Sequence, residues 1–439
     1  MAIETTEPIA RQLSRMDGDR TRRYRESLEF YEGRQWSGPR RSRERRLTFN
    51  YAKTIVEKTA SYTMSGATMV VDPEDGSDGA IERARLTEQT LRDVHDANSL
   101  DQLDFDNEID CSVLGDAACK VTWDGEAARV RITAPDVQGL YVWLPPDDSR
   151  EPWRVASRYV VDEDGAGWPA MANGMKPGRR AHEVVEVWTA DAFELWVDGK
   201  QREAGDNPYG FIPFVIYPNV REPKKFWGVS DLGALKEPLR ELNRALSQLS
   251  MILELSGNPI AVLENVTEAQ DIAVQPGAVW EIPEKARAYL LDLLQGGGVG
   301  LHVEYANLVL RTLHDLSEVP RSAFGETRQP LSGVALEMEL DPLLKKVQRK
   351  RLIRGAAFRR RAEMTLRLLE QHTGETFAGR VRPVWGAVLP QDRSRLVEDE
   401  TRLVGAGIHS RRTAAGLLDV ADPDGEWERW RSEELKVES

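Results

Sequence analysis

The sequence predicts an α+β fold built from several domains, on three observations. Over long stretches apolar residues recur at three- and four-residue steps, which is helical periodicity. Between residues 115 and 219 that pattern gives way to alternation broken by Asp-Gly turns, the signature of half-buried strands. With 439 residues, 41% of them hydrophobic, the chain can bury a sizeable core and has length for two to four domains.

Residues 1–16 read as a mobile arm. Asp17 or Asp19 can cap a helix reaching about Glu32, with Tyr24, Leu28 and Tyr31 on one face and Gly33 ending it. Arg34 to Arg46 is basic and rich in turn formers, read either as a solvated loop or as a contact for phosphate or an acidic chain. Asn50 suits an N-cap for Tyr51 to Met64, and Gly66 suits the C-cap. Asp72 to Gly79 is a polar turn; helices follow over about Ala80 to Asp96 and Leu100 to Leu114. Cys119, Val121 and Trp123 then alternate toward Asp124-Gly125, with Val130 and Ile132 beyond it, a hairpin. Further strands are expected near Gly139 to Trp143, Trp153 to Val161, Val184 to Thr189 and Phe193 to Val197, with another hairpin turn at Asp198-Gly199. The proline-punctuated run Asn207 to Asn219 suits an edge strand, because proline donates no ladder hydrogen bond.

The second half is organised around helix, loop and long helix. Leucines 235, 239, 242, 246, 249 and 253 mark a first helix from about Leu232 to Leu255. Ile260 to Leu263, Ala278 to Ile282 and Ala288 to Leu290 are short strands or turns in a small insert that Gly296 to Gly298 closes. A helix then runs from Val299, with Leu301, Tyr305, Leu308, Val309, Thr312, Leu313 and Leu316 as its stripe, until Pro320 stops it. After the loop Arg321 to Leu331, Ser332 can cap a helix reaching Gln371, roughly 55 Å long at about 1.5 Å per residue, with a kink expected at Pro342. Its charge changes sign: Glu337, Glu339 and Asp341 come first, and Lys345 to Arg361 is dense in cations. That run is either a solvated face with favourable placement in the helix dipole or a strip that meets an acidic neighbour or nucleic acid. Beyond it lie a strand at Val381 to Trp385 and helical pieces at Asp392 to Val404, Arg411 to Leu418 and Glu426 to Lys436.

Composition removes several function classes. A net charge of -13 excludes a generally basic nucleic-acid binder. Cys111 and Cys119 are the only cysteines, too few for a disulfide framework or a four-cysteine zinc site. No apolar run approaches the roughly 20 residues of a membrane span. Met1 to Arg11 has no apolar segment of the kind secretory signals carry, so cytoplasmic synthesis is the expectation. The chain has neither a phosphate-binding glycine loop ending in Lys-Ser/Thr nor a His-Glu-x-x-His zinc motif. Gly296 to Gly300 reads as a flexible joint, and His302 with Glu304 do not share a helix face. Asp101, Asp104, Asp106, Glu108 and Asp110 form an acidic cluster, read as a solvated helix face or, alternatively, as metal-binding carboxylates of a DNA-processing enzyme. No cofactor is expected.

Several motifs, in order, resemble the portal proteins of tailed bacteriophages, the head–tail connector family, in its siphophage branch. They are Tyr31-Glu-Gly33; Asn50 through Ile55-Val56 to Ser61-Tyr62 and Gly66; and Asn98-Ser-Leu-Asp101 through Gly115-Asp-Ala117. The proline-rich strand Asn207 to Asn219 follows, then Gly228-Val-Ser-Asp-Leu232, Ser332-Gly-Val-Ala-Leu336 and Gly407-Ile-His-Ser410. The resemblance implies a non-enzymatic dodecameric ring at one capsid vertex, with an axial channel through which double-stranded DNA is packaged and ejected. It implies a wing at 17–227, stem helices within 228–255 and 299–320, a clip at 256–298, a tunnel loop at 321–331, a long wing helix at 332–372 and a short helical crown at 373–439. It implies as partners the terminase large subunit, the head-completion adaptor and the major capsid and scaffold proteins, with no membrane. The protein would reside in the virion, and in host cytoplasm during assembly. Within that reading Arg321, Thr327, Arg328 and Gln329 would touch passing DNA, because a sequence-blind channel needs weak phosphate-directed contacts. Lys345, Lys346, Arg349, Arg359, Arg360 and Arg361 would form a basic strip between subunits.

Overall fold

The computed structural model describes residues 9–40, 44–148, 150–162, 167–169, 181–257, 260–264, 287–291, 298–325, 333–389, 393–418, 420, 426–427 and 429–430. Helices and sheets are mixed as the sequence predicts, in two compact units, Met1–Val384 and Trp385–Ser439.

The chain opens with α1 (Ile9–Arg15), which corrects the expectation of a mobile arm for these residues. Ile9 and Leu13, one helical turn apart, are buried against Tyr141, Ala156, Val185 and Val187. α2 (Gly18–Tyr31) and α3 (Tyr51–Thr63) follow. Asn50 caps α3 by accepting from the Lys53 amide at 3.4 Å, and its own amide donates to the Tyr31 carbonyl at 2.8 Å, so one side chain joins both helices. β1 (Ala67–Asp72) occupies residues with no strand expectation. α4 (Asp78–Ala97), capped by Ser77, and α5 (Leu100–Leu114) complete the first helical group.

β2 (Asp116–Asp124) and β3 (Arg129–Thr133) form the expected hairpin. β4 (Leu140–Trp143), β5 (Arg154–Asp162), β6 (Gly167–Pro169), β7 (Ala181–Trp188), β8 (Ala192–Val197) and β9 (Lys200–Asp206) make an antiparallel sheet in the order β4-β5-β7-β8-β9, with β6 on β5. β9 is exposed at every position and has no apolar alternation; its pairing with β8 across Asp198-Gly199 makes it a strand. β10 (Phe214–Pro218) joins β2 at the edge of a three-stranded sheet, where the missing N–H of Pro218 is tolerated.

α6 (Lys236–Gly257) starts four residues later than Leu232, because residues 231–235 form a tight turn that buries Leu232 and Leu235. β11 (Ile260–Glu264) and β12 (Arg287–Leu291) form an antiparallel ladder that returns the chain to α7 (Gly298–Ser317), which packs on α6. The expected strand at 278–282 lies outside the described residues. Pro320 leads into a short 3-10 turn at Arg321–Phe324. α8 (Gly333–Thr373) then continues through Pro342 in its third turn. β13 (Arg380–Trp385) pairs with β1, closing a small core of Val71, Ala84, Leu91, Ala362 and Val381. A further core lies between α5, the β10-β2-β3 sheet and α8, and contains Cys111, Cys119, Val121, Tyr217 and Leu368.

In the second unit, α9 (Arg393–Gly405) and α10 (Arg411–Leu417) are joined by a turn in which Ser410 caps α10 and His409 Nδ1 sits 2.8 Å from Glu400. The helical piece expected at 426–436 falls mostly outside the described residues.

Candidate functional site

Two motifs distant in sequence dock on each other where β2 leaves α5. Gly115 has φ +109, and a Cβ there would lie 2.8 Å from the Ser230 amide nitrogen. Only glycine supplies both that backbone and that clearance. Gly228 packs on the same spot, and its amide donates to Asp116 at 2.7 Å. The final turn of α5 leaves carbonyls with no helical partner. The amide of Asp231 donates to the Ser112 carbonyl at 2.9 Å and the Ser230 hydroxyl to that of Val113 at 2.6 Å, so segment 219–232 caps α5. Asn219 ties that segment to itself by donating to the Val229 carbonyl and to the Asp231 carboxylate, both at 3.0 Å.

α8 drives a row of cations into this junction. At about 100° per residue, Lys346, Lys350, Arg354 and Arg361 fall within about 80° around the helix axis. They share that face with buried Leu343, Ala357, Met364 and Leu368. Arg354 is fully buried and donates to both oxygens of Glu108, at 2.7 and 3.1 Å, and to the Asn219 carbonyl at 2.7 Å. Lys350 donates to Ser112 and to Asp231, both at 2.7 Å, and stands 3.3 Å from Glu108. Lys346 donates to the Ser317 carbonyl at 3.0 Å and lies 3.4 Å from Asp231. Further along, Arg361 forks onto Asp104, one contact at 2.7 Å.

These partners set each other's protonation. Burial by itself raises the carboxyl pKa of Glu108, but Arg354 and Lys350 outweigh it and hold the group below its ordinary value. The Asp231 carboxyl follows the same pattern, with Lys346 and Lys350 reversing the effect of burial. Lys346 is pushed below the ordinary lysine value, mainly by burial, with Asp231 opposing the shift. The cluster therefore holds charge at the meeting point of α5, α8, the end of α7 and the segment entering α6. A cleft of about 490 Å³ opens on it, between Val220, Val229, Asp231, Leu316, Lys346 and Arg349.

The expected basic strip accordingly divides into two faces. Lys346 and Arg361 are buried in ion pairs of their own chain, so they are corrected out of a surface strip. Arg361 neutralises Asp104 of α5, and Lys346 faces Asp231 in the segment that enters α6. Lys345 and Arg359 are exposed, the latter 3.8 Å from Glu363; Arg360 stands 3.6 Å from Glu151, and exposed Arg349 forks onto Glu318 at 2.6 and 2.7 Å. In the loop, Arg321 begins the 3-10 turn, while Thr327, Arg328 and Gln329 lie outside the described residues. Within the acidic cluster, Asp104 and Glu108 are buried against α8 rather than solvated, and their oxygens already face arginines. Among the described residues no group of three or more His, Cys, Asp or Glu could hold a metal ion.

Asn219, Asp231, Lys350 and Arg354 are the residues of the cluster that sequence reasoning did not single out as a site, and Glu108 entered it only as a member of the acidic cluster. One signal was available: four cations of α8 share a face with leucines, and Asp104 and Glu108 stand four apart on an equally apolar helix.

A family model described as "Phage portal protein, SPP1 Gp6-like" matches residues 14–438. No curated protein matches the chain.

Proposed function

The chain belongs to the phage portal family of SPP1 Gp6-like proteins, and from that premise we propose that it forms a dodecameric ring at one capsid vertex, a channel for DNA packaging and ejection. The family is structural, a virion component that assembles as an oligomer with capsid and DNA. Among the described residues no helix is long and apolar enough to cross a membrane.

One observation carries the ring. α7 leaves an apolar stripe uncovered: Leu301 is 68% exposed, Tyr305 44%, Leu308 55% and Leu316 48%. The first three stand at four- and three-residue steps on one face. A continuous exposed apolar surface of this kind calls for a partner, and an identical α6–α7 pair from the next copy is a suitable one. In this reading α6 and α7 are the stem, 256–298 is the clip that meets the terminase large subunit and later the head-completion adaptor, and 321–331 is the tunnel loop. Arg321, Thr327, Arg328 and Gln329 then form a collar that touches DNA phosphates without reading bases. The exposed cations Lys345, Arg349 and Arg359, with half-buried Arg360, remain candidates for contacts between subunits, and 373–439 is the crown.

Negative-stain microscopy and sedimentation of the purified chain test the ring. Wild type should give rings, and Leu301→Glu/Leu308→Glu should give folded monomers. Rings of unchanged abundance in that variant would remove α7 from the subunit contact.

A further inference from the structure

The cleft at the end of α7 is short of negative charge. Its floor and the cluster beneath hold three buried cations, Lys346, Lys350 and Arg354, against two buried carboxylates, Glu108 and Asp231. Asp231 is shared: Lys350 holds it at 2.7 Å, and Lys346, at 3.4 Å, has the longer contact. At the rim, Arg349 balances Glu318, but exposed Arg221 makes no ion pair among the described residues. Val220, Val229 and Leu316, 43%, 36% and 48% exposed, give the same mouth an apolar lip. A cleft with a cationic floor and an apolar lip suits a carboxylate side chain carried beside an apolar one.

The chain carries that pattern itself. Near the start of α8, Glu337 and Asp341 are exposed and make no ion pair among the described residues, and Met338 between them is 73% exposed. At about 100° per residue these three lie within about 100° of each other around the helix. Asp341 stands about 140° around the axis from Lys346, five residues on. The acidic face and the cleft therefore look to different sides of one helix and cannot meet within a single copy. Two different, complementary patches on the same chain are what a head-to-tail contact between identical copies requires, and such contacts form a ring when the rotation between copies closes.

We propose that the cleft floored by Lys346 and Asp231 receives the Glu337–Asp341 face of α8 from a second copy of the chain, with a carboxylate facing Lys346 and Arg221 and Met338 against the apolar lip. This deepens the ring reading and rests on it. The arriving carboxylate would offset the loss of water around Lys346 and favour its charged form, so assembly through it should weaken as ionic strength rises.

Sedimentation velocity and negative-stain microscopy on the full chain, at two salt concentrations, test the proposal. Val229→Arg fills the mouth and Glu337→Lys/Asp341→Lys reverses the incoming face; all three positions are exposed, so melting temperatures should stay near wild type. Each should raise the concentration needed for half-assembly at least tenfold, and Arg221→Glu combined with Glu337→Lys/Asp341→Lys should recover part of the loss. Wild-type rings with both variants assembling normally would overturn this contact while leaving the ring reading intact. Loss in Val229→Arg alone, with the acidic variant unaffected, would also overturn it, because another group then fills the cleft. A wild-type chain that stays monomeric at every concentration would overturn the ring reading itself.

Discussion

Arg354→Met should be among the most damaging single substitutions in the first unit. The side chain is fully buried, and its guanidinium supplies the main neutralising contact to Glu108, which is also fully buried. Methionine fills similar volume but leaves Glu108 with Lys350 at 3.3 Å as its remaining cation. Removing one member of a buried pair costs about 3–5 kcal/mol, mostly because the other charge is orphaned. The carbonyls of Pro218 and Asn219 also lose their donor, about 1 kcal/mol or more between them. The sum, about 4–6 kcal/mol, is a large share of the roughly 5–15 kcal/mol that holds a typical domain folded. Arg349→Met is the control. Its contact to Glu318 is the shorter, at 2.6 Å, yet both side chains are substantially exposed, so the loss should be about 0–1 kcal/mol. Urea denaturation followed by circular dichroism measures both. The double variant Glu108→Met/Arg354→Met should recover at least half of the single loss, since no charge is then stranded. If Arg354→Met and Arg349→Met unfold at the same urea concentration, the buried cluster does not stabilise the fold in the way described.

Two further outcomes follow from other parts of the first unit. Asp116 accepts from the Tyr24 hydroxyl and the Gly228 amide, and burial pushes its carboxyl up to about 7. The folded state thus holds a proton that the unfolded chain releases near pH 4, so this group's contribution is full below about pH 4 and is lost as pH rises through about 7. Asp116→Asn should flatten the fall in melting temperature between pH 5 and pH 8, and an identical pH profile in both proteins would show that Asp116 is ionised throughout. At Gly139 an added Cβ would lie 2.2 Å from the Arg158 carbonyl oxygen, so Gly139→Ala must push β5 aside. A loss of about 1–3 kcal/mol is expected in the same urea assay, and wild-type stability would mean that the strand yields freely.

The sequence by itself determined the α+β class, most helices and their ends, the hairpin at Asp124-Gly125, the edge placement of the proline-rich strand and the order of helix, insert, helix, loop and long helix. These depend on period and on local chemistry, which neighbours in the chain supply: Asn50 caps because its side chain reaches an amide three residues on, and Pro320 stops a helix by its own ring. Tertiary structure alone decided where no local signal exists. α1 is short and could have frayed, but Leu13 has a pocket among β4, β5 and β7. β9 has no strand pattern and is held by its ladder, and β1 finds its partner more than 300 residues away in β13. The charges of α8 show the same division most clearly. Sequence gave ten cations in one helix and no means of telling which face water and which face acids, because that depends on what packs opposite. α5 brings Asp104 and Glu108 to one side, segment 219–232 adds Asp231, and burial then makes those pairs obligatory rather than optional.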